Sequence, residues 1–128
     1  MNTVKAIHTD QAPQAIGPYS QAVTAGPFLY VSGQIPIDPQ TGFVKGSTIE
    51  VQTEQVLDNI EAILHAAGFT LQHVVKTEVY LKDMQDFAVV NTLYAKRFSH
   101  PIKPARQAMQ VGKLPLDVHI EISCIAFK

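Results

Sequence analysis

The sequence predicts an α+β fold in which a sheet carries two helices on one face, and three observations lead there. Val56, Leu57, Ile60, Ile63, Leu64 and Ala67 recur at the spacing of one helix face, and Phe87, Val90, Tyr94 and Phe98 do so again further on. Around both stretches lie runs rich in β-branched and aromatic residues, with Val75, Thr77, Val79 and Leu81 alternating against Lys76, Glu78, Tyr80 and Lys82. The order is three strands, a helix, a strand, a helix and two strands, which suits a two-layer arrangement with the helices segregated to one side.

Taken in order, Val4 to Thr9 reads as a short strand, and Pro13, Gly17 and Pro18 make the next stretch an irregular loop ending at Tyr19. Ser20 to Ala25 and Phe28 to Gly33 form a hairpin around Gly26-Pro27. Pro36, Pro39, Gly42 and Gly46 mark residues 35–46 as an exposed connection. Ser47 with Glu50 has the spacing of a capping box for the first helix, and Gly68 is placed to end it. Asp83 or Asp86 can cap the second helix, which runs from Met84 to Phe98, where Pro101 and Pro104 bar its continuation. The last two strands, around Arg106 and Glu121, read as an antiparallel hairpin turned by Gly112, Pro115 and Asp117. A two-layer fold leaves a sheet face uncovered, with Val31 and Ile125 expected on it, so packing against further copies of the chain is expected.

A chain of 128 residues with 46% hydrophobic content closes one core, a single domain over residues 1–128. Ten basic against eleven acidic residues give a net charge of −1 without a basic stripe, so nucleic acid is not an expected partner. Cys124 is the only cysteine, which excludes an internal disulfide or thiolate metal site. The histidines at 8, 65, 73, 100 and 119 lack metal-ligand spacing. No charged leader precedes a long apolar run, and no apolar stretch is long enough to span a bilayer, so a soluble, cytoplasmic protein is expected.

Arg106 and Glu121 are the charges that stand out. If Ala105, Met109 and Val111 share a face with Val118, Ile120 and Ile122 across the hairpin, then Arg106 and Glu121 share the opposite face within reach of each other. Spacing leaves two readings open: a cross-strand ion pair that trims stability, or a functional cleft.

Four separated segments bear on that choice: Ala15-Ile16-Gly17-Pro18-Tyr19-Ser20-Gln21-Ala22, Val31-Ser32-Gly33-Gln34-Ile35-Pro36, Pro104-Ala105-Arg106 and Ile120-Glu121-Ile122. With the Asn59 to Leu64 helix, the Val75-Lys76-Thr77 strand and Asp86 to Asn91, they closely resemble the Rid family of reactive-intermediate imine deaminases, over nearly the whole chain. The resemblance implies a chorismate-mutase-like α+β fold with a mixed sheet, and a homotrimer with clefts between neighbouring subunits. It implies hydrolysis of 2-imino acids, the tautomers of enamines such as 2-aminoacrylate, to 2-keto acids and ammonia, with no metal or organic cofactor.

Under that resemblance Arg106 holds the substrate carboxylate with its planar fork, and Glu121 activates a water for attack on the imine carbon. Tyr19 is implied to help close the cleft, and Ser32 and Gly33 to lie at the site. Without it, a loop Tyr packed on the surface and an ordinary strand end serve as well. Phe87 and Asn91 share a helix face, Phe87 reading as core or ligand contact and Asn91 as a bonding partner across the cleft. Ala108 stands where many relatives carry Cys, Ser or Thr, and Lys103 where an aromatic or apolar residue is common, so substrate preference is open. The competing functions are a ribonuclease or translation inhibitor, and a non-enzymatic metabolite sensor or chaperone-like trimer.

Overall fold

A computed structural model describes residues 3–128. Its strands are β1 (Val4–Ile7), β2 (Ala22–Ala25), β3 (Phe28–Gln34), β4 (Val74–Leu81), β5 (Ala105–Gln110) and β6 (Ile120–Phe127), and its two α-helices are α1 (Ile49–Ala66) and α2 (Phe87–Arg97). The six strands form one mixed sheet in the order β1-β2-β3-β6-β4-β5. Only β4 and β5 are parallel, joined through α2, since parallel neighbours need a crossover; every other pair is antiparallel.

Both helices lie on one face. On α1, Val56, Leu57, Ile60, Ile63 and Leu64 are fully buried, and they join Leu29, Val79, Leu81, Ile120 and Ile122 of the sheet in one core cluster with Val90 and Tyr94 of α2. The helix cap falls one residue beyond the expected one: Thr48, not Ser47, accepts the Val51 amide at 3.3 Å. Gly68 closes α1 as expected, at φ 81° with its amide donating to the His65 carbonyl. Met84–Asp86 is a 3-10 turn led by Asp83, so α2 proper begins at Phe87.

The hairpin expected between the last two strands does not form. β4 lies between them, with Thr77 opposite Arg106 on one side and Cys124 on the other. Composition explains the placement: β6, with Ile, Cys and Ala buried and Ser123 and Ile125 behind them, suits a central strand, whereas Ala-Arg-Gln-Ala-Met-Gln is an edge exposed at all but Ala108. The connection from β5 therefore crosses the end of β4, where the Val111 amide reaches the Leu81 carbonyl and the Lys82 amide reaches that of His119. Val31 is likewise corrected: it is buried under the helices opposite Cys124, while Ile125, with the exposed Phe28, Tyr30 and Phe127, lies on the helix-free face.

Candidate active site

The register decides where the two charges go. Arg106 is level with Thr77, which is buried under α2, so Arg106 emerges on the helix side at the sheet's edge. Glu121 is level with Tyr80 and alternates with the buried Ile120 and Ile122, so it emerges on the helix-free face. The expectation that they share a face is wrong because β5 has the opposite parity: Ala108, not Met109, packs on the core. With strands roughly 4.8 Å apart and a rise of about 3.3 Å per residue, two strand spacings and three residues of register put their Cα atoms about 14 Å apart. Within one chain the two side chains point away from each other and form no ion pair.

The surroundings of Arg106 come from α2. Phe87, Asn91 and Tyr94 sit at i, i+4 and i+7, one stripe of the helix facing β5. The guanidinium carbon lies 5.1 Å from the Phe87 ring centroid and 4.9 Å from that of Tyr94, and Nη1 donates to the Asn91 side-chain oxygen at 2.6 Å. Tyr94 is itself fixed by a 2.7 Å hydrogen bond between its hydroxyl and Thr77. Among the described residues Arg106 takes part in no ion pair. Rings against a guanidinium hold its plane and desolvate its faces while leaving N–H groups at its rim for an anion. A cavity of about 490 Å3 opens there, lined by Asn91, Tyr94, Lys103 and Arg106 among others. Ala108, two residues along, faces the same side and offers a methyl group only. Tyr94 is not among the expected site residues, and Lys103, expected only as a departure that bears on substrate preference, lines the cavity as well. The i+7 spacing pointed to Tyr94, but an apolar periodicity alone reads as core.

Glu121 is set by backbone. Gly33 ends β3 where its register against β6 shifts, and a Cβ built on it would collide with the Glu121 carboxylate, whose Cδ would lie 2.9 Å away. The absence of a Cβ at Gly33 lets the carboxylate lie directly against this backbone, and a larger residue would displace it. Burial raises the Glu121 carboxyl above the ordinary 4.5, making the carboxylate a stronger base. Its neighbour Tyr80 donates to Glu78, and that bond, with burial and the charges of Glu78 and Glu121, raises the phenol too. Tyr19, turned by a bond from its amide to the Gly17 carbonyl, lines a cavity of about 320 Å3 together with Gly33. The Ser32 hydroxyl donates to the Ser20 carbonyl at 2.6 Å, bracing the loop that carries Tyr19. His119 is turned aside, its ring bonded to the Ser47 carbonyl.

The expected site residues thus fall into two groups: Arg106, Asn91, Phe87 and Ala108 on the helix side, and Glu121, Gly33, Tyr19 and Ser32 at the end of β3 or on the open face. No cluster of three or more metal-ligating side chains occurs among the described residues, and no helix is long and apolar enough to cross a membrane.

Fold and side chains together describe a small α+β protein whose edge strand displays a guanidinium set against two aromatic rings and hydrogen-bonded to a helix asparagine. Residues 9–128 match the family model described as Endoribonuclease L-PSP, and the chain belongs to that family, whose members also carry the names RutC and Rid. It is 57% identical over 122 residues to a RutC family protein of Pyrococcus horikoshii, covering 95% of this chain and 96% of that one. Among solved structures it is similar to a Rid family protein of Yersinia pestis, with TM-score 0.96, 44% identity and coverage of 98% and 100%. Another is E. coli TdcF, solved with bound serine, with TM-score 0.92, 40% identity and coverage of 97% and 98%.

Proposed function

We propose that the protein hydrolyses 2-imino acids to 2-keto acids and ammonia at sites shared between copies of the chain, in a homotrimer. The observation that carries this reading is Arg106, stacked against two rings, oriented by Asn91 and without an ion-pair partner among the described residues. Such a fork suits the carboxylate of an amino-acid-like substrate. That TdcF binds serine, a molecule with a carboxylate beside a nitrogen-bearing carbon, is in keeping with it.

The chemistry needs a base as well. Glu121, raised by burial, takes a proton from water as the oxygen attacks the carbon of the protonated imine, passes it to the nitrogen of the carbinolamine, and takes up the hydroxyl proton as ammonia leaves and the keto acid's carbonyl forms. Arg106 and Glu121 of one chain are too far apart and on opposite faces for one small substrate, so the pair that acts together comes from two copies. The helix-free face, with Phe28, Tyr30, Ile125 and Phe127, supplies apolar surface for that assembly. The endoribonuclease in the family's description is the weaker reading here, because a net charge of −1 offers little to a phosphate backbone.

The test is complementation. Arg106→Ala and Glu121→Gln are each expected to slow ammonia release from 2-aminoacrylate, generated in situ at low concentration, by about 100-fold or more. Refolded together, they restore intact sites at about one interface in four. No recovery in mixed oligomers would overturn the shared site, and no turnover by the parent across several imino acids would overturn the deaminase. RNA cleavage measured alongside decides the second reading.

A further inference from the structure

We infer that the cavity beside Gly33 is an apolar side-chain pocket, and that Leu116 makes this protein favour 2-imino acids with aliphatic side chains over those with small or charged ones. The inference rests on the deaminase reading for its substrate class, but its physical basis is separate.

Leu116 has φ 55° and Asp117 φ 56°, the two non-glycine residues in the left-handed region among those described. A branched aliphatic residue rarely adopts that conformation, and its presence calls for a reason. The segment around it is firmly held. Leu114 and Val118 are buried on either side, the Asp117 amide donates to the Leu114 carbonyl at 3.0 Å, and the Asp117 carboxylate pairs with Lys82 at 3.1 Å. Held in this way, Leu116 stands 69% exposed at the tip of the connection between β5 and β6. It contributes nothing to the core there; it instead lines the cavity of about 320 Å3 that Gly33 also lines.

The other walls agree with this role. Ile16, 87% exposed, Ile35, Ile37 and the Tyr19 ring complete an apolar lining, and no charged side chain contributes to it. Three glutamines border the cavity, and each amide has a partner elsewhere: Gln14 with His8 and Asp10, Gln21 with the backbone of Thr9 and Pro13, Gln34 with the Ser32 carbonyl. A charged substituent would lose its water without meeting an opposite charge in the lining, whereas an aliphatic one gains contact with Leu116 and Ile16. The cavity reaches the reaction through Gly33, which lines it and lies against the Glu121 carboxylate. A substrate carbon above Glu121 would therefore project its side chain toward Leu116.

The experiment measures two things on the parent and on Leu116→Gly and Leu116→Lys. The first is kcat/KM for imino acids made in situ from leucine, alanine and glutamate by an amino-acid oxidase. The second is the affinity for the matching keto acids, 4-methyl-2-oxopentanoate, pyruvate and 2-oxoglutarate, by calorimetry. Glycine relieves the left-handed backbone, so that variant folds at least as well as the parent. It is expected to lose about tenfold in the leucine-to-alanine ratio of kcat/KM. Equal ratios in parent and Leu116→Gly, in turnover and in keto-acid affinity, would overturn the inference. A parent that binds 4-methyl-2-oxopentanoate best through Leu116 but turns over no imino acid would uphold the pocket and sink the deaminase.

Discussion

Arg106 reaches its position fully dressed within one chain, against two rings and bonded to Asn91, whereas Glu121 stands on the helix-free face with Gly33 beneath it and Tyr80 alongside. The first has its supporting contacts complete within one chain. The second is half of something: a raised carboxylate on a face whose other wall the chain does not supply. Under the proposed function, recognition is local to α2 and β5, while the chemistry depends on what covers the open face.

The largest expected effect separates these roles. Arg106→Ala removes a charge-assisted fork and is expected to lower kcat/KM about 100- to 1000-fold, mainly through KM, with Arg106→Lys recovering little because an ammonium cannot bond in parallel or lie flat between the rings. Steady-state kinetics with a small imino acid decide this. An equal loss in kcat at unchanged KM would merge the two regions into one.

Glu121→Gln is expected to lower kcat about 100-fold with KM little changed. Burial makes the folded chain bind this proton more tightly than the unfolded chain does, so stability falls as pH rises from the ordinary 4.5 through the raised value. The neutral amide removes that penalty, and thermal unfolding at pH 7 is expected to show the variant as stable as the parent or more so. The acid limb of kcat/KM in the parent should lie above the ordinary glutamate range and vanish with Glu121. Gly33→Ala pushes the carboxylate aside without touching its charge, and about tenfold in kcat is expected from that misplacement.

Smaller effects probe the helix side. Tyr94→Phe leaves the Thr77 hydroxyl buried without its partner, and urea unfolding is expected to register about 1–2 kcal/mol of lost stability with the ring support of Arg106 intact. Cys124, whose thiol burial pushes up to about 12, is expected to resist alkylation in the native protein and to react only on unfolding.

Much of this was legible in the residues. The apolar periodicity of Val56 to Ala67 gave α1, Gly68 its end, and the alternation from Val75 to Lys82 gave β4, since each pattern has one periodic solution. The place of β5 was not, because Ala-Arg-Gln-Ala-Met-Gln has no apolar alternation to reveal its buried side, and the turn residues Gly112 and Pro115 suit an overpass as well as a hairpin. The strand-helix-strand order from Val74 to Gln110 was the missed signal for a parallel pair. Arg106 and Glu121 were identifiable as residues; that they face apart follows from pairing across β4, which neither strand's sequence carries.

β6 is the last of the six strands in chain order, yet it lies between β3 and β4. The meander of β1 to β3 and the β4-α2-β5 unit can each form from neighbouring sequence, but they join only when β6 arrives between them. The sheet is thus held together by pairings of large sequence separation, a topology that slows folding. Without β6 the two half-sheets would present open edges to each other and to other copies, so substitutions that weaken this strand are expected to promote aggregation.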